Sequence, residues 1–250
     1  MSKTIDSFDF AVGRILAGKY RIERMLGRGW EGEAYQVTEV ATGVQRAAKV
    51  FYPHRNQGNR ALRTYARKLE KLSDCSALIR YHHTDTFRQS GSTISFVLSE
   101  LVRGEILEEF VRRQPGKRLP TFDALHLLRA VTRGVAQIHQ RREYHGDLHD
   151  RNVLVWRRGV HFEIKLLDLF SDKSSTRERQ RDDVVDLARL LFDMVGGRTR
   201  YVRQPPEIKA ICRGLKRSLI LDRFRSSADL VVHLDGFEWA SGTGGSSGLS

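Results

Sequence analysis

Three side chains near the middle of the chain have the types and spacing of a magnesium–nucleotide site. In His145-Gly146-Asp147-Leu148-His149-Asp150-Arg151-Asn152-Val153-Leu154-Val155 a carboxylate, Asp147, and an amide, Asn152, share one polar turn. A second apolar run, ending in Leu166-Leu167, delivers another carboxylate, Asp168. Hard oxygen ligands of this kind hold Mg²⁺ through one or two side chains and leave room for phosphate oxygens. One acid can orient an attacking hydroxyl while the other acid and the amide hold metal ions.

The elements around these residues give them a frame. Leu125, Leu128, Val131, Val135 and Ile138 mark the buried face of a helix opened by Pro120-Thr121 and ending just before the turn. Val153 to Trp156 and Phe162 to Leu167 read as a hairpin around Arg158-Gly159. Upstream, Tyr20 to Leu26 alternates as a strand and runs into Gly27-Arg28-Gly29-Trp30-Glu31-Gly32. A second strand passes through Tyr35 and Val37, and a third, Ala47 to Phe51, carries Lys49. Glycines let backbone N–H groups approach phosphate oxygens, although a tight hairpin explains them about as well. The glycines lie between strands and do not open a helix, which disfavours a dinucleotide (Rossmann) site. Lys49 is either a water-facing edge lysine or, given its distance from the glycines, a phosphate partner.

Further strand patterns fall at Ile79–His82 and Ile94–Leu98, and helical patterns at Arg60–Ser73 and Leu107–Arg113. Ser171 to Arg181 is polar and basic and reads as a loop. Val184, Leu187, Leu191 and Met194 mark an apolar helix stopping at Gly196-Gly197, followed by helices over Ile208–Ile220 and Ser227–Leu234. The expected organisation is a leader over 1–18, a strand-rich lobe over 19–99, a connector over 100–104, a helical lobe over 105–238 and a flexible Gly/Ser tail over 239–250.

With 250 residues, 40% of them apolar, the chain can bury a sizeable core. Its net charge of +13 offers a basic surface to an acidic partner or simply to water. No stacking-aromatic pattern or recognition helix supports nucleic-acid binding. Cys75 and Cys212 stand in unrelated contexts, without zinc spacing or a disulfide framework, and no run is long and apolar enough to span a bilayer. These features lead to the expectation of a cytoplasmic protein.

The pieces in this order resemble the protein kinase superfamily over roughly residues 20–235. YRIERMLGRGWEGEAY is similar to its glycine loop, AAKVF to its lysine strand, HGDLHDRNVLV to its catalytic loop and IKLLDLF to its metal-binding segment. The resemblance implies an α+β, two-lobed fold: an N-terminal antiparallel sheet lobe and a mainly helical C-terminal lobe. It also implies ATP and Mg²⁺. Gly27, Gly29 and Gly32 would cover the phosphates, Lys49 would pair with them, and the Glu100–Val102 backbone would meet adenine. Asp147 would be the catalytic base, Asn152 and Asp168 the metal ligands, and Asp183 a brace for the catalytic loop.

Five departures stand out. No acid occurs between Lys49 and Glu70, so the glutamate that usually pairs with the lysine is absent, with Tyr65 at its position, unless a shifted helix lets Glu70 serve. Gly146 replaces the arginine that usually receives an activation-loop phosphate. His149 replaces the lysine that usually touches the transferred phosphate, a form also seen in small-molecule and lipopolysaccharide kinases. The activation segment is short, and Phe170 stands where glycine is usual. The expected activity is transfer of the ATP γ-phosphate to an unidentified hydroxyl acceptor, Ser/Thr of a protein first. A sugar, lipopolysaccharide or other small-molecule kinase and a non-catalytic scaffold are the alternatives.

Overall fold

The computed structural model describes residues 5–159, 161–170 and 174–237; the expected Gly/Ser tail and Lys173 lie outside them. Six strands form one antiparallel sheet: β1 (Ile15–Leu16), β2 (Tyr20–Arg28), β3 (Gly32–Glu39), β4 (Gln45–Phe51), β5 (Tyr81–Gln89) and β6 (Ser92–Glu100), in the order β1-β2-β3-β4-β6-β5. Alternation decides which residues face inward: Tyr20 and Ile22 of β2 are buried and Arg21 between them is exposed. β5 is longer than the Ile79–His82 pattern, because His82, His83, Thr84 and Thr86 are exposed and its apolar signal is thin.

The sheet is covered on both faces. On one face Tyr35, Val37, Ile94 and Phe96 form a core with Phe8, Phe10 and Leu16 from the N-terminal segment. The buried carboxylate of Glu33 ties that segment down. It accepts hydrogen bonds from the Phe8 and Asp9 N–H groups at 3.0 and 3.2 Å and from the Tyr52 hydroxyl at 3.1 Å. On the other face lies helix α1 (Arg60–Lys71), whose buried stripe is Leu62, Tyr65, Lys68 and Leu69. Phe51, Val97 and α1 belong to the same continuous core as the helical lobe.

That lobe contains a small sheet of β7 (Glu105–Ile106), β8 (Val153–Arg158) and β9 (His161–Leu166). Its helices are α2 (Leu107–Arg112), α3 (Thr121–Gln140), α4 (Thr176–Met194), α5 (Gly197–Tyr201), α6 (Pro206–Cys212), α7 (Arg217–Arg223) and α8 (Ser227–Asp235). Two expectations are corrected here. Helix α4 begins at Thr176, inside the stretch read as a loop. Its first turns are held by Arg217, 2.5 Å from Asp182, and by the Gln180 amide, which donates to the Glu143 and His139 carbonyls. The helix expected over Ile208–Ile220 is two helices. Arg213, Gly214 and Leu215 all take positive φ (49°, 63° and 57°) and end α6.

The lobes meet at a connector over 101–104 and along the segment before β5. There the Leu166 N–H donates to the Ala77 carbonyl at 2.7 Å, and Lys165 Nζ bridges the Leu78 carbonyl (2.7 Å) and Glu100 (2.6 Å).

Candidate active site

The polar turn sits between α3 and β8 because α4 holds it there. Asp183, fully buried in α4, accepts from the His145 N–H at 2.7 Å and the Gly146 N–H at 2.8 Å. His139 of α3 contacts the same carboxylate at 2.9 Å, and its other ring nitrogen meets Ser227 of α8 at 2.8 Å. Three helices therefore fix one loop. Gly146 is required twice over: its φ is +81°, and a Cβ there would lie 2.9 Å from the Tyr144 ring.

Within the turn, Asn152 donates to the Asp147 carbonyl at 2.8 Å and to its carboxylate at 3.1 Å. His149 Nε2 lies 3.6 Å from the Asp147 carboxylate, and its Nδ1 accepts from the Arg151 N–H at 3.2 Å. With Nδ1 accepting, the ring proton is on Nε2, directed at Asp147, so the 3.1 Å approach of the Asn152 amide to Nε2 is a contact between two donors. The neighbouring His149 imidazole is the largest influence on Asp147 and holds its carboxyl below the usual range, against partial burial. Reciprocally, the Asp147 carboxylate raises the His149 imidazole above its ordinary value. Asp147 is therefore a carboxylate at neutral pH.

Asp168 is brought to the same place by β9. The Leu167 N–H donates to the Asn152 carbonyl at 2.9 Å, and the Phe170 N–H to the His145 carbonyl at 2.9 Å. Asp168 itself has φ +52°, a left-handed conformation uncommon for a residue with a side chain. Across the cleft Lys49 Nζ lies 2.8 Å from Asp168 and 3.0 Å from Glu31. Burial pulls the Lys49 ammonium down, but Asp168, Tyr65 and Glu31 outweigh it, and the group stays charged. Glu70 is exposed and takes no part, while Tyr65 of α1 presents its ring 4.7 Å from the Lys49 nitrogen. The Glu31 contact was not anticipated. Its signal was an acid inside the glycine loop of a chain with none between Lys49 and Glu70.

The remaining expected residues fall as follows. Gly27 lies within β2, opposite Ala34, and the Gly29 N–H donates to the Gly32 carbonyl at 2.9 Å. A Cβ on Gly32 would sit 2.0 Å from the Val50 carbonyl oxygen, so this glycine lets the loop lie against β4. The Glu100 side chain serves Lys165 and the Arg80 N–H (2.9 Å) at the junction of the lobes. Val102 lines a cavity of about 650 Å³ beside the connector, with Leu101, Gly104, Phe110 and Trp156.

Asn152 and Asp168 offer oxygen donors suited to magnesium. The Asn152 amide nitrogen donates to the Asp147 carbonyl and carboxylate, which leaves its oxygen for a cation. No group of three or more His, Cys, Asp or Glu side chains able to hold a metal occurs among the described residues.

The protein kinase domain family matches residues 20–188, and the chain belongs to it. A serine/threonine-protein kinase PknA of Corynebacterium glutamicum is 25% identical over 191 residues, 75% of this chain and 38% of that protein. The serine/threonine-protein kinase pkn2 of Myxococcus xanthus is 30% identical over 156 residues, 62% of this chain and 18% of that protein. The chain thus spans less than two fifths of these curated relatives. In three dimensions it resembles the Mycobacterium tuberculosis PknI kinase domain, with a TM-score of 0.64, 24% identity, and coverage of 90% of this chain and 98% of that one. The two-lobed fold is the one the resemblance implied. Among the described residues no helix is long and apolar enough to cross a membrane.

Proposed function

We propose that the protein is an ATP- and Mg²⁺-dependent kinase that phosphorylates Ser or Thr hydroxyls of proteins. The observation that carries this reading is the convergence of Lys49, Asp147, Asn152 and Asp168 on one cleft, joined by the Lys49–Asp168 and Asn152–Asp147 contacts. Lys49 binds phosphate oxygens, and the loop of Gly27, Gly29 and Gly32 lies over them. The connector around Val102 receives the adenine through its backbone. Asn152 and Asp168 would hold magnesium, which would neutralise charge on the phosphates. Asp147, kept ionised, orients the acceptor hydroxyl and takes its proton on the carboxylate oxygen that Asn152 leaves free. The similarity to bacterial Ser/Thr kinases supports a protein acceptor.

A small-molecule acceptor is the second reading. It is favoured by His149 beside Asp147 and by the short run from Asp168 to α4, which leaves little platform for a peptide. Incubation with γ-labelled ATP, magnesium and a mixed panel of proteins and small alcohols separates the two. Label on protein Ser or Thr is expected. Label only on a small alcohol contradicts the protein acceptor, and a nucleotide-dependent rise in melting temperature without transfer to any acceptor contradicts catalysis.

A further inference from the structure

The lysine in this cleft has a carboxylate partner from an unusual direction. Helix α1 packs beside Lys49, but Tyr65 is the residue it presents, and every other position from Val50 to Leu69 also lacks an acid. A buried ammonium whose only fixed partner was Asp168 would meet a conflict. Asp168 is also the carboxylate proposed to take magnesium, and a cation bound there competes with Lys49 for the same oxygens. A second carboxylate, not committed to metal, is needed to keep Lys49 extended into the cleft.

Glu31 supplies it. Its carboxylate lies 3.0 Å from Lys49 Nζ, with the lysine side chain 17% and the glutamate side chain 33% exposed. The backbone of Glu31 is fixed as well. The Tyr52 N–H donates to its carbonyl at 2.9 Å, extending the β3–β4 ladder one step beyond the Gly32–Phe51 pair. That approach depends on Gly32, since a Cβ would strike the Val50 carbonyl. Tyr65 completes the cradle, with its ring at 4.7 Å from Nζ.

We propose that Glu31, from the glycine loop, is the positioning residue for Lys49 and takes the part that the missing α1 glutamate would play. The inference rests on the kinase reading of the same cleft. It makes the lysine's second carboxylate partner a property of the glycine loop and not of α1.

The test uses the full chain with Glu31→Gln and Glu31→Asp. Glu31→Gln lowers kcat about ten- to hundredfold, the loss expected for one hydrogen bond to a charged group, while KM for ATP changes less than kcat. Glu31→Asp, which keeps the charge, recovers part of the rate. In the free protein, Glu31→Gln also raises the rate at which an amine-directed acylating reagent modifies Lys49 at fixed pH, read by peptide mass spectrometry, because the amine has lost a partner. A merely structural role moves neither the kcat-to-KM split nor Lys49 reactivity. Unchanged kcat with unchanged Lys49 labelling overturns the inference. So does a Glu31→Gln variant that turns over faster or binds ATP more tightly, since Glu31 would then be blocking the phosphate site. If the parent protein transfers no phosphate, the kinase reading fails. Lys49 labelling then still decides whether Glu31 holds the lysine: increased labelling supports the pairing and unchanged labelling overturns it.

Discussion

At the scale of single residues, close approaches decide most of the site. Gly32 is the clearest case. A methyl group there would overlap a backbone oxygen that cannot swing away, so Gly32→Ala forces the glycine loop off β4. A cost of about 2 kcal/mol is expected from overpacking of this kind. It would appear in urea denaturation as a lower midpoint, together with weaker nucleotide binding; an unchanged midpoint would contradict the contact. Lys68 offers a pH test. It is buried, its Nζ donates to the Phe170 carbonyl at 2.5 Å, and the Tyr144 ring lies 3.9 Å away. Burial pulls its ammonium down to about 8, against the opposing pull of Glu143 and Asp183. The folded protein therefore releases this proton before the unfolded chain does. Between about pH 8 and the ordinary lysine value the unfolded chain binds more protons, and stability rises with pH. From pH 8 to pH 10 the parent should gain about 2 kcal/mol relative to Lys68→Met, measured by urea denaturation at each pH. Parallel pH profiles for the two proteins would show that Lys68 is not buried as a cation.

At the scale of elements, Asp183 carries the largest load. It joins α4 to α3 and to two N–H groups of the polar turn, so Asp183→Ala leaves several buried donors unpaired. A loss of about 3–5 kcal/mol is expected. An Asp183→Ala protein with the parent's melting temperature would contradict that role. Local signals made most of these elements legible in the sequence. The alternation of β2, the apolar stripe of α3 and the hairpin around Arg158-Gly159 lie within short stretches of chain, and so does the spacing of Asp147, Asn152 and Asp168. What stayed hidden depends on distant partners. The start of α4 has no apolar periodicity, and Arg217, the His139 carbonyl of α3 and the Glu143 carbonyl of the loop after it hold it. The break after α6 needs three successive left-handed residues, of which only Gly214 advertises the turn. Glu31 read as one more polar residue in a loop, because its partner stands on another strand.

At the scale of the whole molecule, the sheet lobe is less independent than a two-lobed outline suggests. Helix α1, Phe51 of β4 and Val97 of β6 belong to the core of the helical lobe, and the Lys165–Glu100–Leu78 junction locks the connector from behind. Unfolding in urea should therefore be one transition. Far-ultraviolet circular dichroism and tryptophan fluorescence, with Trp30 in the sheet lobe and Trp156 in the helical lobe, should give coincident midpoints. Two separated midpoints would mean that the lobes are separate folding units. A shared core also holds Lys49 opposite Asp168, which is the arrangement phosphoryl transfer requires. The most direct test of that claim compares the parent with Asp147→Asn in a transfer assay with γ-labelled ATP and magnesium. The substitution is isosteric, so the fold and the nucleotide-dependent rise in melting temperature should persist while phosphate transfer falls at least about a hundredfold, as loss of a general base implies. Transfer by Asp147→Asn at the parent's rate, or no transfer by either protein, would contradict the account.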